Sequence, residues 1–343
     1  MTTEPDLRIR QVDPLDPRDA DVFERFVAVT TQCARLVHGE RHVAHTVDEL
    51  RERYRLTTDA SMQPFAACVG DDVLGVAMLT LPLKDNEHLG LLSVNVLPAV
   101  RRRRIGTALL REAERRMGAA GRRVLNAESH RALDAASPAD AFAARYGYAE
   151  ALVDLRSELA LDDALDTALE QVAAQAAGPA GDYEVLTWWD AVPEQWLDQR
   201  AALAARLSTD APTGDRDLEP EVWDAERVAE LFTIAAAQGR RVVESVAVHR
   251  TSRELVAYTD LQVPTGRPAI ARQWDTLVHA DHRGHRLGQL VKVANLRALR
   301  AEVPDARRVV TWNAAVNEPM IRVNRALGFV PYSYNVEWQK ELA

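Results

Sequence analysis

The sequence predicts an α/β protein made of two similar domains, each a mixed, largely antiparallel sheet flanked by helices. Three observations predict this: the length, one order of strand and helix patterns met twice, and a constant offset between the two. The 343 residues suit two domains of about 150–170 residues each. Val96 and Val278, Arg101 and Arg283, and Gly106 and Gly288 all differ by 182, while Gly147 and Gly328 differ by 181. A period of a whole domain means duplication rather than a solenoid.

Each half opens on an alternating strand pattern, at 7–12 and 183–189. Helical periodicity follows at 17–37 and 46–57 in the first half and at 192–207 and 221–238 in the second. Three β-rich runs come next, at 65–69, 73–83 and 91–96, then at 242–249, 255–263 and 270–278. The third run of each set enters an Arg-rich turn and then a helix. Between the halves, 161–170 reads as a short acidic helix that ends in the Gly178-Pro179-Ala180-Gly181 stretch, since Gly and Pro stop helices. The expected boundaries are therefore 1–159, a linker at 160–182, and 183–343.

Composition narrows the function classes. Hydrophobic residues are 47% and charged residues 27%, the balance of a globular protein rather than a collagenous or disordered one. The net charge is −9, which repels a polyanion unless one face concentrates the bases; nucleic acid is not expected as a partner. Only Lys84, Lys292 and Lys340 are lysines among 42 basic residues, leaving 42 − 3 = 39 arginines. Cys33 and Cys68 make neither a disulfide framework nor a metal pair. The start lacks the basic and apolar regions of a signal peptide, and no apolar run approaches the ~20 residues that span a bilayer. A cytoplasmic monomer or homodimer without membrane contact is expected.

The repeated turn carries the chemistry. Val96-Leu-Pro98-Ala-Val-Arg101-Arg102-Arg103-Arg104-Ile105-Gly106-Thr107 and Leu277-Val278-His279-Ala280-Asp281-His282-Arg283-Gly284-His285-Arg286-Leu287-Gly288 are each a buried strand, a basic turn and a helix start. The first N–H groups of a helix have no intrahelical partner, and the helix dipole favours an anion there. Gly lets phosphate approach closely and Arg adds charge. Apolar spacing continues through Ile105, Leu109, Ala113 and Met117, and through Leu287, Val291, Ala294 and Ala298, so one helix face packs on a sheet.

These stretches resemble the signature Val-x-Pro-x-x-(Gln/Arg)-x-x-Gly-x-(Gly/Ala) of the GNAT acetyltransferase superfamily. The run from Asn317 to Phe329 is similar to that family's final helix-to-strand turn. The resemblance covers nearly the whole chain twice, as in tandem GNAT proteins of actinobacterial type. It implies acetyl-CoA as cosubstrate, with its pyrophosphate on residues 96, 101–107, 277, 278 and 283–288, and Asn313 and Asn317 nearby. Arg104 and Arg286 stand where the signature has Gly, and Ala280 replaces the proline kept at Pro98.

The resemblance also implies direct transfer to an amine in a ternary complex, with a base for the ammonium proton and often a Tyr four residues before the final Gly. Here those places hold Ala143 and Asn324. Asn donates a hydrogen bond but is no proton source, and Tyr146 and Tyr332 are out of register. For the base, Asp275 lies mid-strand, where a carboxylate is unusual; a base and an ion pair with Arg272 or backbone amides both explain it. Glu244 is a second such carboxylate. Ser93 occupies the place of Asp275 in the first half, whose best candidate is Glu128.

All seven tryptophans lie at 188 and beyond, which points to an aromatic-walled cleft in the second half. Asp275, Glu244 and Asn324 then place acyl transfer there, on a small amine, with the net charge fitting a cationic one, while the first half binds CoA without catalysis or buttresses the second. A non-catalytic acyl-CoA sensor is the competing reading, motivated by the missing Tyr. His279, His282 and His285 sit inside the turn with no Cys or Glu to complete a set, so no metal is expected.

Overall fold

The computed structural model describes residues 6–342; residues 1–5, on which the reading of the chain's start rests, and Ala343 lie outside the described residues. Two compact units form. The first takes in the chain up to Val153 with Gly214–Asp217 and the residues from Asn335; the second is Asp154–Thr213 with Leu218–Tyr334.

In the first unit, β1 (Arg8–Gln11), α1 (Ala20–His38) and α2 (Val47–Leu56) precede the meander β2 (Ala60–Val69), β3 (Asp72–Pro82) and β4 (Leu89–Val96). A capping box between Thr46 and Glu49 starts α2, satisfying two orphan N-terminal amides. Then come α3 (Ile105–Ala119), β5 (Val124–Ala132), α4 (Pro138–Arg145) and β6 (Ala149–Ala160). β1 to β4 pair antiparallel and β4 pairs with β5 in parallel. The parallel pairing ends at Leu92 and Ala127. As the spacing predicts, Ile105, Leu109, Ala113 and Met117 of α3 bury themselves on this sheet with Phe65, Leu79 and Leu92. Gly90 permits the approach: a Cβ there would run into the Met117 side chain.

The second unit begins with the last residues of β6 and with α5 (Ala164–Ala177). It continues through β7 (Tyr183–Trp189), α6 (Leu197–Asp210), α7 (Ala225–Ala237), β8 (Arg240–His249), β9 (Leu255–Pro264) and β10 (Ile270–Val278). The last elements are α8 (Leu287–Glu302), β11 (Arg308–Ala314), α9 (Glu318–Ala326) and β12 (Val330–Glu341). β7 to β10 pair antiparallel, β10 and β11 are parallel, and β11 is antiparallel to β6. One core packs α8 and α5 on one face of this sheet, and another packs α6 and α7 against Val242, Val246 and Tyr258.

These bounds differ from those read in the sequence. The segment 160–182 holds α5, whose Leu165, Leu169 and Val172 are buried with Leu296 and Leu299 of α8. An i, i+4, i+7 stripe of this kind is an ordinary packing face, and its acidic residues lie around it. Arg300 ties α8 to Asp166 at 2.8 Å. Residues 335–342 belong to the first unit, where Trp338 fills the core and donates to Ser129.

The two meanders differ in one detail that shapes the site. β3 and β4 keep one register from Gly75–Val96 to Thr80–Leu91. β9 and β10 shift between Gln273 and Thr276, so that Trp274 and Asp275 bulge opposite Asp260. Cys33 and Cys68 are free and buried. Among the described residues no helix is long and apolar enough to cross a membrane.

Candidate functional site

The two basic turns have one geometry. Past the strand end, a short 3-10 turn (Pro98–Val100 or Ala280–His282) leads to an Arg that folds back on the strand. Arg101 Nε donates to the Val96 carbonyl at 3.1 Å, and Arg283 Nε to the Val278 carbonyl at 3.3 Å. Arg283 also reaches Asp210 at 3.0 Å. These two guanidinium groups therefore brace the turn. Two left-handed residues follow in alternation: Arg102 and Arg104 at φ 67° and 64°, and Gly284 and Arg286 at φ 89° and 57°. Left-handed residues in such a turn aim backbone N–H groups into one concavity, which binds anions. The place where the signature calls for Gly is left-handed in both copies, which is why Gly suits it and why Arg there carries strain.

Gly106 and Gly288 are different. Neither has positive φ, and an added Cβ would meet nothing nearer than 3.5 Å at Gly106 or 3.7 Å at Gly288. The protein itself does not need glycine at these helix starts, where it costs roughly 1 kcal/mol against Ala. A pyrophosphate approaching the backbone gives the clearance a use. The residues present thus fit the phosphate end of acyl-CoA.

The other expected cradle residues divide by what their side chains do. Ile105, Leu277 and Leu287 are core residues, so only their backbone is available. Val96 and Val278 pack beside them. His285 Nδ1 lies 3.0 Å from the Pro179 carbonyl and Arg286 donates to Gln175 at 3.0 Å. Thr107 Oγ1 lies 2.7 Å from Tyr146 Oη. Arg102, Arg103 and Arg104 are exposed. Asn317 caps α9 by accepting from the Met320 amide. His282 is 3.0 Å from Tyr183 Oη. Among the described residues no group of three His, Cys, Asp or Glu is placed to hold a metal ion.

Beyond the turn, the second unit holds a buried polar cluster around the bulge. Glu244 is fully buried; Arg200 Nε donates to it at 2.7 Å and Trp188 Nε1 at 3.2 Å. One oxygen is held in a sealed ion pair and the other accepts from the indole, so both are engaged. Asp275 accepts from Tyr258 Oη at 3.4 Å, and its amide donates to Asp260 Oδ1 at 3.1 Å. Burial raises the Asp275 carboxyl above the usual range. Asp260 rises further, by burial and by the charges of Asp275 and Glu244. A desolvated carboxylate pair of this kind takes up a proton more readily than an exposed Asp.

Asn324 is buried and forms a second relay. Lys292 Nζ donates to its Oδ1 at 3.0 Å, and its Nδ2 donates to Asn313 Oδ1 at 2.6 Å. Burial lowers the Lys292 ammonium to about 7. Asn313 and Asn324 line a small cleft with Leu155, Ser157, Arg325 and Phe329.

Residues 30–148 match the model of the acetyltransferase (GNAT) family. A tandem GNAT protein from the clavulanic acid biosynthesis pathway is similar over 98% of this chain and 99% of its own, at 25% identity and a TM-score of 0.78. The chain has the tandem GNAT fold. A GCN5-related N-acetyltransferase from Sphaerobacter thermophilus aligns over 99% of this chain and 97% of its own, with 16% identity and a TM-score of 0.65. The N-myristoyltransferase of Saccharomyces cerevisiae shares the fold over 99% of this chain and 81% of its own, with 10% identity and a TM-score of 0.60. No curated protein sequence matches.

Within this tandem GNAT fold, Asp275 and Asn324 occupy the cluster and the relay respectively. Asp260 and Lys292 join them, and sequence reasoning passed over both. Asp260 sits mid-strand like Asp275 and was open to the same test. Lys292 lies off the apolar stripe read in α8, so nothing marked it as buried. The Trp274 and Trp312 rings meet at 5.4 Å, and neither lines the cleft at Asn313 and Asn324. Trp196 is core, and Trp189 packs beside the core with Arg241 over its ring.

Proposed function

We propose that the protein is an acetyl-CoA-dependent N-acetyltransferase that acts on a small amine by direct transfer, with the chemistry in the second unit. Acyl-CoA supplies the activated acyl thioester. The single observation that carries this reading is the Asp260–Asp275 pair, placed in a strand bulge of the unit that also has a complete turn.

In this reading the Gly284–Gly288 turn receives the pyrophosphate through backbone N–H groups. The Asp260–Asp275 pair accepts the proton that the ammonium of the acceptor must lose, and its raised affinity for protons brings it nearer to the amine. Arg200, Tyr258 and Glu244 hold the pair's geometry. Asn324, fixed by Lys292, offers hydrogen bonds where a Tyr would otherwise stand. A thiol leaving group with an ordinary value near 8.5 needs little acid help.

The test is release of free thiol from acetyl-CoA against a panel of small amines. Amine-dependent release is expected. Tight CoA binding with no release for any amine would instead make the protein an acyl-CoA sensor.

A further inference from the structure

Arg156 lies on β6 directly opposite Trp312 of β11. It is 8% exposed, as buried as many core residues. Its Nε donates to Tyr332 Oη at 3.2 Å, and its Cζ stands 5.4 Å from the Trp312 ring centroid. No carboxylate pairs with it among the described residues; the neighbouring Glu158 pairs with Arg308 instead. Arg200 of the same unit shows what a buried guanidinium ordinarily has, a carboxylate at 2.7 Å.

Nε is the one Arg156 nitrogen with a hydrogen bond among the described residues, and neither terminal nitrogen is sealed from solvent, so the remaining donors are open to a ligand. The cation–π contact with the indole and the Tyr332 bond at Nε hold the group while leaving the two terminal nitrogens as a fork, the shape that meets a carboxylate through two parallel hydrogen bonds. Trp312 meets Trp274 edge to face, and Trp274 is 40% exposed and directly precedes Asp275 in the bulge. Guanidinium, two indoles and carboxylate therefore follow one another along adjoining strands.

We propose that Arg156 anchors a carboxylate on the acceptor, so that the acceptor is an amine that also carries an acid, an amino-acid-like molecule. The acid docks on the fork of Arg156, the apolar part lies along Trp312 and Trp274, and the amine reaches Asp275. The last placement rests on the proposed N-acyl transfer; the anchor itself does not.

The test separates the two. Binding of 3-phenylpropionate and of 3-phenylpropylamine is followed through the indole N–H resonances of Trp274 and Trp312, assigned with Trp→Phe variants. The carboxylate is expected to shift both resonances and the amine alone to shift neither. Arg156→Gln is expected to weaken carboxylate binding about tenfold or more, with partial rescue in Arg156→Lys. Equal shifts from the two probes in the wild-type protein would overturn the anchor even if neither variant folds. Unchanged binding in a folded Arg156→Gln protein would do the same. Thiol release is then compared for phenylalanine and phenethylamine. Carboxylate binding without acetylation of any amine keeps the anchor and removes the acyl-transfer reading. Equal KM for the two amines removes the anchor and keeps acyl transfer.

Discussion

Where the first unit buries Leu110, Ala113 and Val76, the second buries Lys292, Asn295 and Tyr258, each 182 residues on. Half-buried Met78 corresponds in the same way to Asp260, and exposed Ser93 to Asp275. The strand order and the turn are shared, so the scaffold does not require the polar set. The first unit shows that apolar side chains fill the same positions. Each buried polar group left short of partners costs about 1–3 kcal/mol, and the Asn295 Nδ2 is one without a partner. A scaffold that folds with Leu and Ala but carries Lys, Asn and Asp in its second copy is keeping them for something other than stability. The bulge belongs to the same difference: it is present where Asp260 and Asp275 meet and missing where Met78 and Ser93 do.

Removing the Asp275 charge takes away the largest difference between the units. Asp275→Asn keeps the shape and removes the charge; it is expected to lower kcat for amine-dependent thiol release by about 100-fold or more. Ser93→Ala, at the matching position, should leave the rate within about twofold. Equal losses in both would mean that the polar cluster is not what distinguishes the units.

Lys292→Met brings one position closer to the first unit and tests stability. The folded-state ammonium is depressed to about 7 from an ordinary 10.5. Between those values the unfolded chain binds more protons, so wild-type stability falls as pH drops from about 10 to about 7 and is flat below. The variant lacks this slope. Its melting temperature relative to wild type should therefore rise as pH falls across that window, whatever constant loss comes from the freed Asn324 oxygen.

The smallest effect concerns the turns. Arg104→Gly relieves a left-handed residue that is exposed, and is expected to raise stability by about 1 kcal/mol. Arg286→Gly should gain less, because that side chain also donates to Gln175. Thermal melts of the two variants check the order.

Much of the scaffold was legible because its signals are local. Alternation marked the meanders, Gly and Pro marked their ends, and the 182-residue offset joined the halves. Asp275 stood out as a charge inside an apolar run. α5 reads as a linker helix because Asp163, Asp166 and Glu170 alternate with Leu165, Leu169 and Val172, whose partners on α8 no local pattern reveals. The bulge had no signature, since nothing in Gln273-Trp274-Asp275 distinguishes a register shift from a straight strand. Lys292 and Arg156 went unmarked for a common reason: a long basic side chain reads as solvent-facing until its neighbours are known. The assignment of 335–342 to the first unit is a matter of chain topology, which no local pattern records.

In the proposed function it is the second unit's turn that serves catalysis. Gly106→Asp and Gly288→Asp test it directly. An acidic residue in the first turn suits each helix and its Cβ meets only ordinary van der Waals contacts, yet its charge repels a pyrophosphate. Amine-dependent thiol release from acetyl-CoA is measured for both. Loss in Gly288→Asp with near wild-type rates in Gly106→Asp is the predicted result. Loss in Gly106→Asp with full activity in Gly288→Asp would contradict it.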